Sequence, residues 1–454
     1  MLKDRIKEFV SHHREEIVRD LLELVKIPSV STDKAACEEM LCHTRALYEA
    51  HGFKTEKREK YLLAYYGEGK KQIGLFAHGD VVEGGKGWTL TSPFEPEIHN
   101  GFIVGRGAWD DKSAVVISLY TMLAMKELQI PMSSQLMCYT GACEENGMDD
   151  IISYVRENIA PTFSFVLDAG FPVYYGDKGK SWVRAHSRHT LSDIKDIGGG
   201  KMINIVLGNA SARLRYSEAL FGELREKEGI TLEKSGDEII VSAKGNSTHA
   251  AAPRDSVNGA WIIANVLKDV SALDEGDRRL MASVAHVLKS PFGDTVGIEN
   301  DDSEFGCLTM ANGIMGVEDG ILSFTLDLRY GKAVKTDKML STLENALDKL
   351  GFDLEIISKD DAYAIDKDNE YLKSYLRAYS EYTGEENPPM HINAGSTYAK
   401  RIGNACEVGM THRGGWLDLP KGHGHAHEPN ECISIDGLCN ALEIIIYAIS
   451  EALK

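Results

Sequence analysis

Two histidines and three acidic residues of this chain are of the right types to hold metal ions. They are His78 in Phe76-Ala77-His78-Gly79-Asp80, Asp110 in Gly105-Arg106-Gly107-Ala108-Trp109-Asp110-Asp111-Lys112, Glu145 in Glu144-Glu145-Asn146, Asp168 in Val166-Leu167-Asp168, and His427 in Ala426-His427-Glu428. Each follows an apolar run that reads as a β-strand, and an α/β sheet presents its chemistry at strand ends. Two imidazoles and three carboxylates, one of them shared, suit a pair of divalent ions.

The immediate neighbours add detail. In His78-Gly79-Asp80 the two side chains share one side of an extended segment, so Asp80 is placed to accept the second imidazole N–H and orient the ring. Asp110-Asp111-Lys112 follows a Gly-x-Gly turn and opens a helix, where a carboxylate can bridge two ions or simply cap. Glu144 and Glu145 diverge if they lie outside a helix. Glu145 is then assigned to metal, and Glu144 to carrying a proton for a bound water. His423, His425 and His427 alternate along one short stretch, with His412 nearby, and any of them is a possible ligand. The chain has no His-Glu-x-x-His, no Gly-x-Ser-x-Gly elbow and no cysteine-based zinc ribbon.

These residues need elements to position them. Leu2 to Val25 carries apolar residues at helical spacing and is closed by Pro28. Ile73–Ala77, Gln135–Thr140 and Ser164–Leu167 are short apolar strands, with helices expected over Lys112–Leu128 and Asn146–Ile159. Strands alternating with helices predict an α/β sheet covered on its faces. After Gly198-Gly199-Gly200 the pattern changes. A strand (Met202–Leu207), a helix (Ser217–Lys227), two strands (Ile230–Lys234, Glu238–Ala243) and a helix (Val257–Val270) precede a later unit of strand, helix and strand over 322–357. That order suggests an inserted ferredoxin-like α+β module. Beyond Pro388-Pro389 a helix (Tyr398–Ile402), a strand (Ala405–Met410) and a terminal helix (Ile433–Leu453) resume the first pattern. The expected division is a discontinuous domain over 1–181 and 386–454, interrupted by a second over 182–385.

Composition narrows the function classes. A formal net charge of -19 argues against nucleic acid and against an anionic membrane surface. No apolar stretch is long enough to span a bilayer, and the N-terminus lacks the apolar core of a signal peptide. Eight cysteines without a Cys-x-x-Cys pair read as reduced thiols of a cytoplasmic protein.

Taken in order, the segments Ala77-His78-Gly79-Asp80-Val81-Val82, Gly87-Trp88-Thr89, Pro93-Phe94, Gly105-Arg106-Gly107, Asp110-Asp111-Lys112, Glu144-Glu145, Asp168 and His427-Glu428-Pro429-Asn430-Glu431 span most of the chain. In this the chain resembles the co-catalytic metallopeptidases that include aminoacylase, succinyl-diaminopimelate desuccinylase, the carnosinases and the PepV-type dipeptidases. Trp88, the long insertion and Gly395-Ser396-Thr397-Tyr398 bring it nearest the PepV-like branch. The resemblance implies a zinc-peptidase-like mixed sheet flanked by helices, with the inserted domain as a lid. It implies one ion on His78 and Asp168, the other on Glu145 and His427, with Asp110 bridging. Asp80 would orient His78, and Glu144 would activate the bridging water. In the lid, His249 of Asn246-Ser247-Thr248-His249-Ala250 would stabilise the tetrahedral intermediate. Asn204 and Arg329 would engage the substrate's backbone and carboxylate. Trp109 and Ser113 depart from the family pattern beside the bridging position.

The expected activity is therefore metal-dependent hydrolysis of dipeptides or aminoacyl compounds, with Zn²⁺ as the first choice of ion and Mn²⁺ as the second. N-acyl or N-succinyl amino acid deacylation is the alternative within the fold. A non-catalytic binding protein on a hydrolase scaffold is the alternative outside it. A self-sufficient insertion favours a monomer over a homodimer.

Overall fold

Apolar runs without alternation become the central strands of one sheet, because a strand covered on both faces has no polar side to show. Gln135–Gly141, Gln72–His78, Phe163–Ala169 and Ala405–Gly409 lie side by side in that order and run parallel. Tyr61–Tyr66 pairs antiparallel outside Gln135–Gly141, and Lys54–Lys57 lies beyond it. At the other edge Val173–Asp177 pairs antiparallel with Ala405–Gly409, and Met390–Asn393 runs parallel to Val173–Asp177. With the two-residue strand Tyr363–Ala364 beside Val173–Asp177, the result is a mixed sheet of nine strands.

This computed structural model describes residues 2–454. The helices Leu2–Lys26, Lys112–Glu127, Glu370–Thr383 and Ile435–Ala452 share one apolar core with the sheet. Lys112–Glu127 lies deepest and is apolar almost all round, as a helix with no solvent face must be. Its first residue, Lys112, is buried and donates to the carbonyls of Leu24 (3.0 Å) and Ile27 (2.6 Å). It thereby satisfies main-chain acceptors at the end of Leu2–Lys26, and burial pulls its pKa down to about 7. On the other face, Asp149–Glu157 and Tyr398–Ile402 cover an aromatic cluster centred on Tyr139. Its ring lies 5.0 Å from Phe76, 5.2 Å from Tyr154 and 5.5 Å from Tyr398.

The chain divides into two compact units. One holds the chain up to Asp177 and again from Ala364 to Lys454, and the other holds Lys178–Tyr363. The second junction falls well before the expected 385/386. Residues 370–383 form a helix whose Leu372, Tyr375 and Tyr379 enter the first unit's core, so their apolar face assigns them there.

In the second unit the strands form two larger antiparallel sheets and a two-stranded one, Asp301–Asp302 with Gly306–Cys307. One orders Ile194–Gly198, Asn209–Arg215, Glu238–Lys244 and Thr231–Ser235; the other is built on Ile321–Tyr330 between Gly179–Thr190 and Thr309–Ala311, with Phe352–Asp360 outside Gly179–Thr190. The strand expected at Met202–Leu207 is instead Asn209–Arg215. Its inward positions are Ala210, Ala212 and Leu214, so small side chains concealed a strict alternation. The expected helix over Asn146–Ile159 splits at Gly147 and Met148, both at positive φ, and starts at Asp149. Ile433 belongs to the short strand Cys432–Ser434, and Ser434 caps the terminal helix Ile435–Ala452. None of the eight cysteines is paired, and no described helix is long and apolar enough to cross a membrane.

Candidate metal centre

Register brings the strand-end residues level. His78 lies opposite Gly141 in the neighbouring parallel strand, which continues into the turn carrying Glu144 and Glu145. Phe76 pairs with Val166, so two residues further on His78 and Asp168 stand side by side. The His78 side chain is 1% exposed and its Nε2 is 3.0 Å from Oδ1 of Asp110. The other oxygen of Asp110 lies 3.2 Å from Nε2 of His427, and that nitrogen is 2.8 Å from Glu145 Oε1. One carboxylate therefore offers one oxygen to each imidazole. Ligand atoms gather in two groups, His78 with Asp111 and Asp168, and Asp110 with Glu145 and His427; within each group they lie inside 4.8 Å of one another.

All five candidate ligands thus meet in one place, joined by Asp111, which the sequence reading left as a neighbour. Asp111 Oδ2 accepts the His78 amide at 3.1 Å, while its buried Oδ1 has no hydrogen-bond partner. The electrostatics divide the carboxylates: against the effect of burial, hydrogen bonds to His427 and His78 hold Asp110 well below its ordinary range. Burial first, and the surrounding carboxylates after it, push Asp168 and Glu144 well above the ordinary carboxylate range, and Asp111 likewise. Asp110 and then Glu145 hold the His427 imidazole up at about 11. Crowded buried carboxylates facing two imidazoles, one with an orphan oxygen, form a donor set that fits divalent cations.

A surrounding layer fixes the ligands. The Asp80 carboxylate accepts the amides of Glu144 (3.1 Å) and Glu145 (3.2 Å) and the Ser31 hydroxyl (2.6 Å). The His78 ring sits nearer the Asp80 main-chain oxygen (3.0 Å) than its carboxylate (3.5 Å), so Asp80 organises the Glu144–Asn146 turn more than the imidazole. Glu431 is fully buried. One of its oxygens accepts the amides of Gly107, Trp109 and Asp110 at 3.0–3.1 Å, and the other pairs with Arg106 at 2.5 Å. Arg106 also donates to the His427 carbonyl at 3.2 Å. Sequence reading quoted Arg106 and Glu431 only inside longer motifs. The available signal was a charged residue between two glycines and an acid close after Pro429.

Of the clustered histidines, His427 is the one whose ring reaches Asp110 and Glu145. His423 receives the Asn430 amide at 2.8 Å, His425 packs on Trp416, and His412 faces the Tyr379 hydroxyl. In the second unit, Ala250 N–H donates to the Asn204 carbonyl at 2.9 Å and Ile205 bridges His249. Desolvation and then the charge of Arg329 lower the His249 pKa, so the three residues share one region of that unit. Arg329 is buried and paired bidentately with Asp327, at 2.6 and 2.9 Å.

The family model described as Peptidase family M20/M25/M40 matches residues 74–451. A protein of Staphylococcus saprophyticus whose name reads "Putative dipeptidase" is 25% identical, with 98% of each chain covered. Human carnosine dipeptidase 1 superposes with a TM-score of 0.63 at 15% identity, covering 99% of this chain and 98% of that one. The dipeptidase Dug1p of Saccharomyces cerevisiae gives 0.60 at 13% identity, with the same two coverages. At such identities the two structures speak for the fold.

Proposed function

The chain belongs to Peptidase family M20/M25/M40, a metal-dependent hydrolase of peptide bonds by that membership, and from this premise we propose that it is a cytoplasmic dipeptidase. The observation that carries the reading is the Asp110 carboxylate, one oxygen toward His78 and the other toward His427. On this reading Asp110 is shared by two ions. His78 and Asp168 complete one set of ligands and Glu145 and His427 the other, with Zn²⁺ preferred and Mn²⁺ as the alternative. When bound, such ions polarise a carbonyl and make water a better nucleophile.

The chain's own residues do the rest. Glu144 takes the proton of the attacking water and returns it to the leaving amine, its main chain held in place by Asp80. In the second unit, acting as the lid, His249 stabilises the tetrahedral intermediate while Asn204 and Arg329 engage the substrate's backbone and carboxylate. Asp327 sets the direction of the Arg329 fork. Names of relatives support dipeptides as the substrate class, and eight unpaired cysteines support a reducing compartment. The self-contained second unit supports a monomer.

The test is a panel of dipeptides and N-acyl amino acids assayed after chelation and after return of Zn²⁺ or Mn²⁺. The expected result is activity that vanishes on chelation, returns with ions and favours dipeptides. Faster turnover of N-acyl amino acids would make the protein a deacylase. A folded, metal-supplemented chain with no bound ion would remove the hydrolase reading.

A further inference from the structure

The exposed ligand of the candidate centre sits on a loop that needs outside support. The His427 side chain is 53% exposed and its backbone is left-handed, with φ 65°. The preceding stretch contains Gly414, Gly415, Gly422 and Gly424, three of them at positive φ, so local chain stiffness contributes little to its placement. Behind the ligand, Arg106 holds the His427 carbonyl, and the buried Asn430 side chain accepts the amides of Thr89 and Leu90.

In front of it lies an aromatic stack. The Trp109 and Trp416 rings are 4.9 Å apart and 28° from parallel. His425 lies 4.6 Å from Trp416 and 5.7 Å from Trp109, tilted against both. Trp416 is 61% exposed, so its burial in a core does not explain its presence. The two ends of the stack are informative. Trp109 directly precedes Asp110, and its amide is fixed by Glu431. His425 opens a tight turn closed by the Glu428 amide on the His425 carbonyl at 3.1 Å, and His427 is the third residue of that turn.

We propose that Trp109, Trp416 and His425 form a clamp that positions His427 for metal by fastening its turn to the segment bearing Asp110. They are positioning residues, acting through His427 rather than on the substrate. The inference rests on the reading of His427 as a ligand. Offset aromatic contacts carry enough energy that losing one should weaken the ion held through His427 by about tenfold.

The experiment is calorimetric titration of the metal-free full chain with Zn²⁺, comparing wild type, Trp416→Ala, Trp416→Phe, His425→Ala and His427→Ala, with thermal melts to verify folding. Trp416 is exposed, so its truncation should leave the fold intact. The expected result is two ions in the wild type, one ion at unchanged affinity and one weakened about tenfold in Trp416→Ala and His425→Ala, and recovery in Trp416→Phe. His427→Ala should abolish the same weakened event. If Trp416→Ala and His425→Ala bind both ions as the wild type does, the clamp is wrong while the dinuclear reading stands. A raised KM with unchanged metal affinity would make Trp416 a substrate contact and equally overturn the clamp. A wild type binding fewer than two ions would bring down the dinuclear reading and the clamp with it.

Discussion

The two imidazoles of the centre are held in opposite ways. His78 ends a buried parallel strand, and its position follows from sheet register, a covered side chain and the Asp111 carboxylate on its amide. His427 stands on a solvent-facing turn that distant segments hold: Arg106 donates to its carbonyl, Asn430 ties the turn's end to Thr89 and Leu90 and, as proposed, Trp109 and Trp416 stack on His425. One half of the centre is a product of secondary structure, the other of tertiary contacts. Strength of placement should therefore differ between halves that contribute equally to chemistry.

The largest effect tests whether there are two halves of one centre at all. Asp110 touches both imidazoles, so Asp110→Asn should cost both ions and take activity to background, measured by elemental analysis beside a dipeptide assay. Retention of both ions with near-normal turnover would dismantle the shared-carboxylate geometry. Next in size is a variant that separates chemistry from binding. Glu144→Gln keeps shape and removes the base; it should retain two ions and lose ~10²–10⁴-fold in kcat. Loss of metal along with activity would instead make Glu144 part of the ligand set.

Replacing either imidazole should abolish turnover, but the damage to the fold should be unequal. In metal-free protein His78→Ala leaves the fully buried Asp80 carboxylate without its imidazole partner, a loss on the order of 3–5 kcal/mol for an uncompensated buried charge. His427→Ala opens an exposed turn and should change the melting temperature little. Equal melting temperatures for the two variants would contradict the contrast between a register-fixed and a contact-fixed ligand.

Legibility in the sequence follows the same division. Gln72–His78, Gln135–Gly141 and Phe163–Ala169 were readable because uninterrupted apolar runs fix a buried strand, and strand ends then name His78 and Asp168. His427 could be separated from His423 and His425 only through the family resemblance, since alternation puts all three on one side. The long-range pairing of Glu431 with Arg106 and the Asp110 loop leaves no periodic trace. Asn209–Arg215 was missed because alanines occupied its inward face, while Met202–Leu207 offered a more apolar but irregular run. Residues 370–383 were assigned to the insertion although their buried face belongs to the first unit. An amphipathic helix states that it packs, not against which core.

The smallest effect sharpens the comparison through protons. In the metal-free chain the His427 pKa is held at about 11, by Asp110 first and Glu145 second, above the ordinary imidazole value of about 6.5. A folded-state pKa raised above the unfolded one contributes stability that is fully present below about 6.5 and is lost as pH rises through about 11. Exposure of the ring to solvent keeps that contribution modest. Metal must displace the same proton, so each ion taken up on His427 at neutral pH should release about one proton, and apparent affinity should climb about tenfold per pH unit. Calorimetry in buffers of different ionisation enthalpy counts the proton, and chelated samples melted from neutral to alkaline pH follow the stability term. Wild type should lose more stability over that range than His427→Gln, which has no proton to lose at that position. Parallel melting curves for the two, with no proton released on loading, would mean that the His427 turn already holds its imidazole neutral and that contacts, rather than charge, define the exposed half.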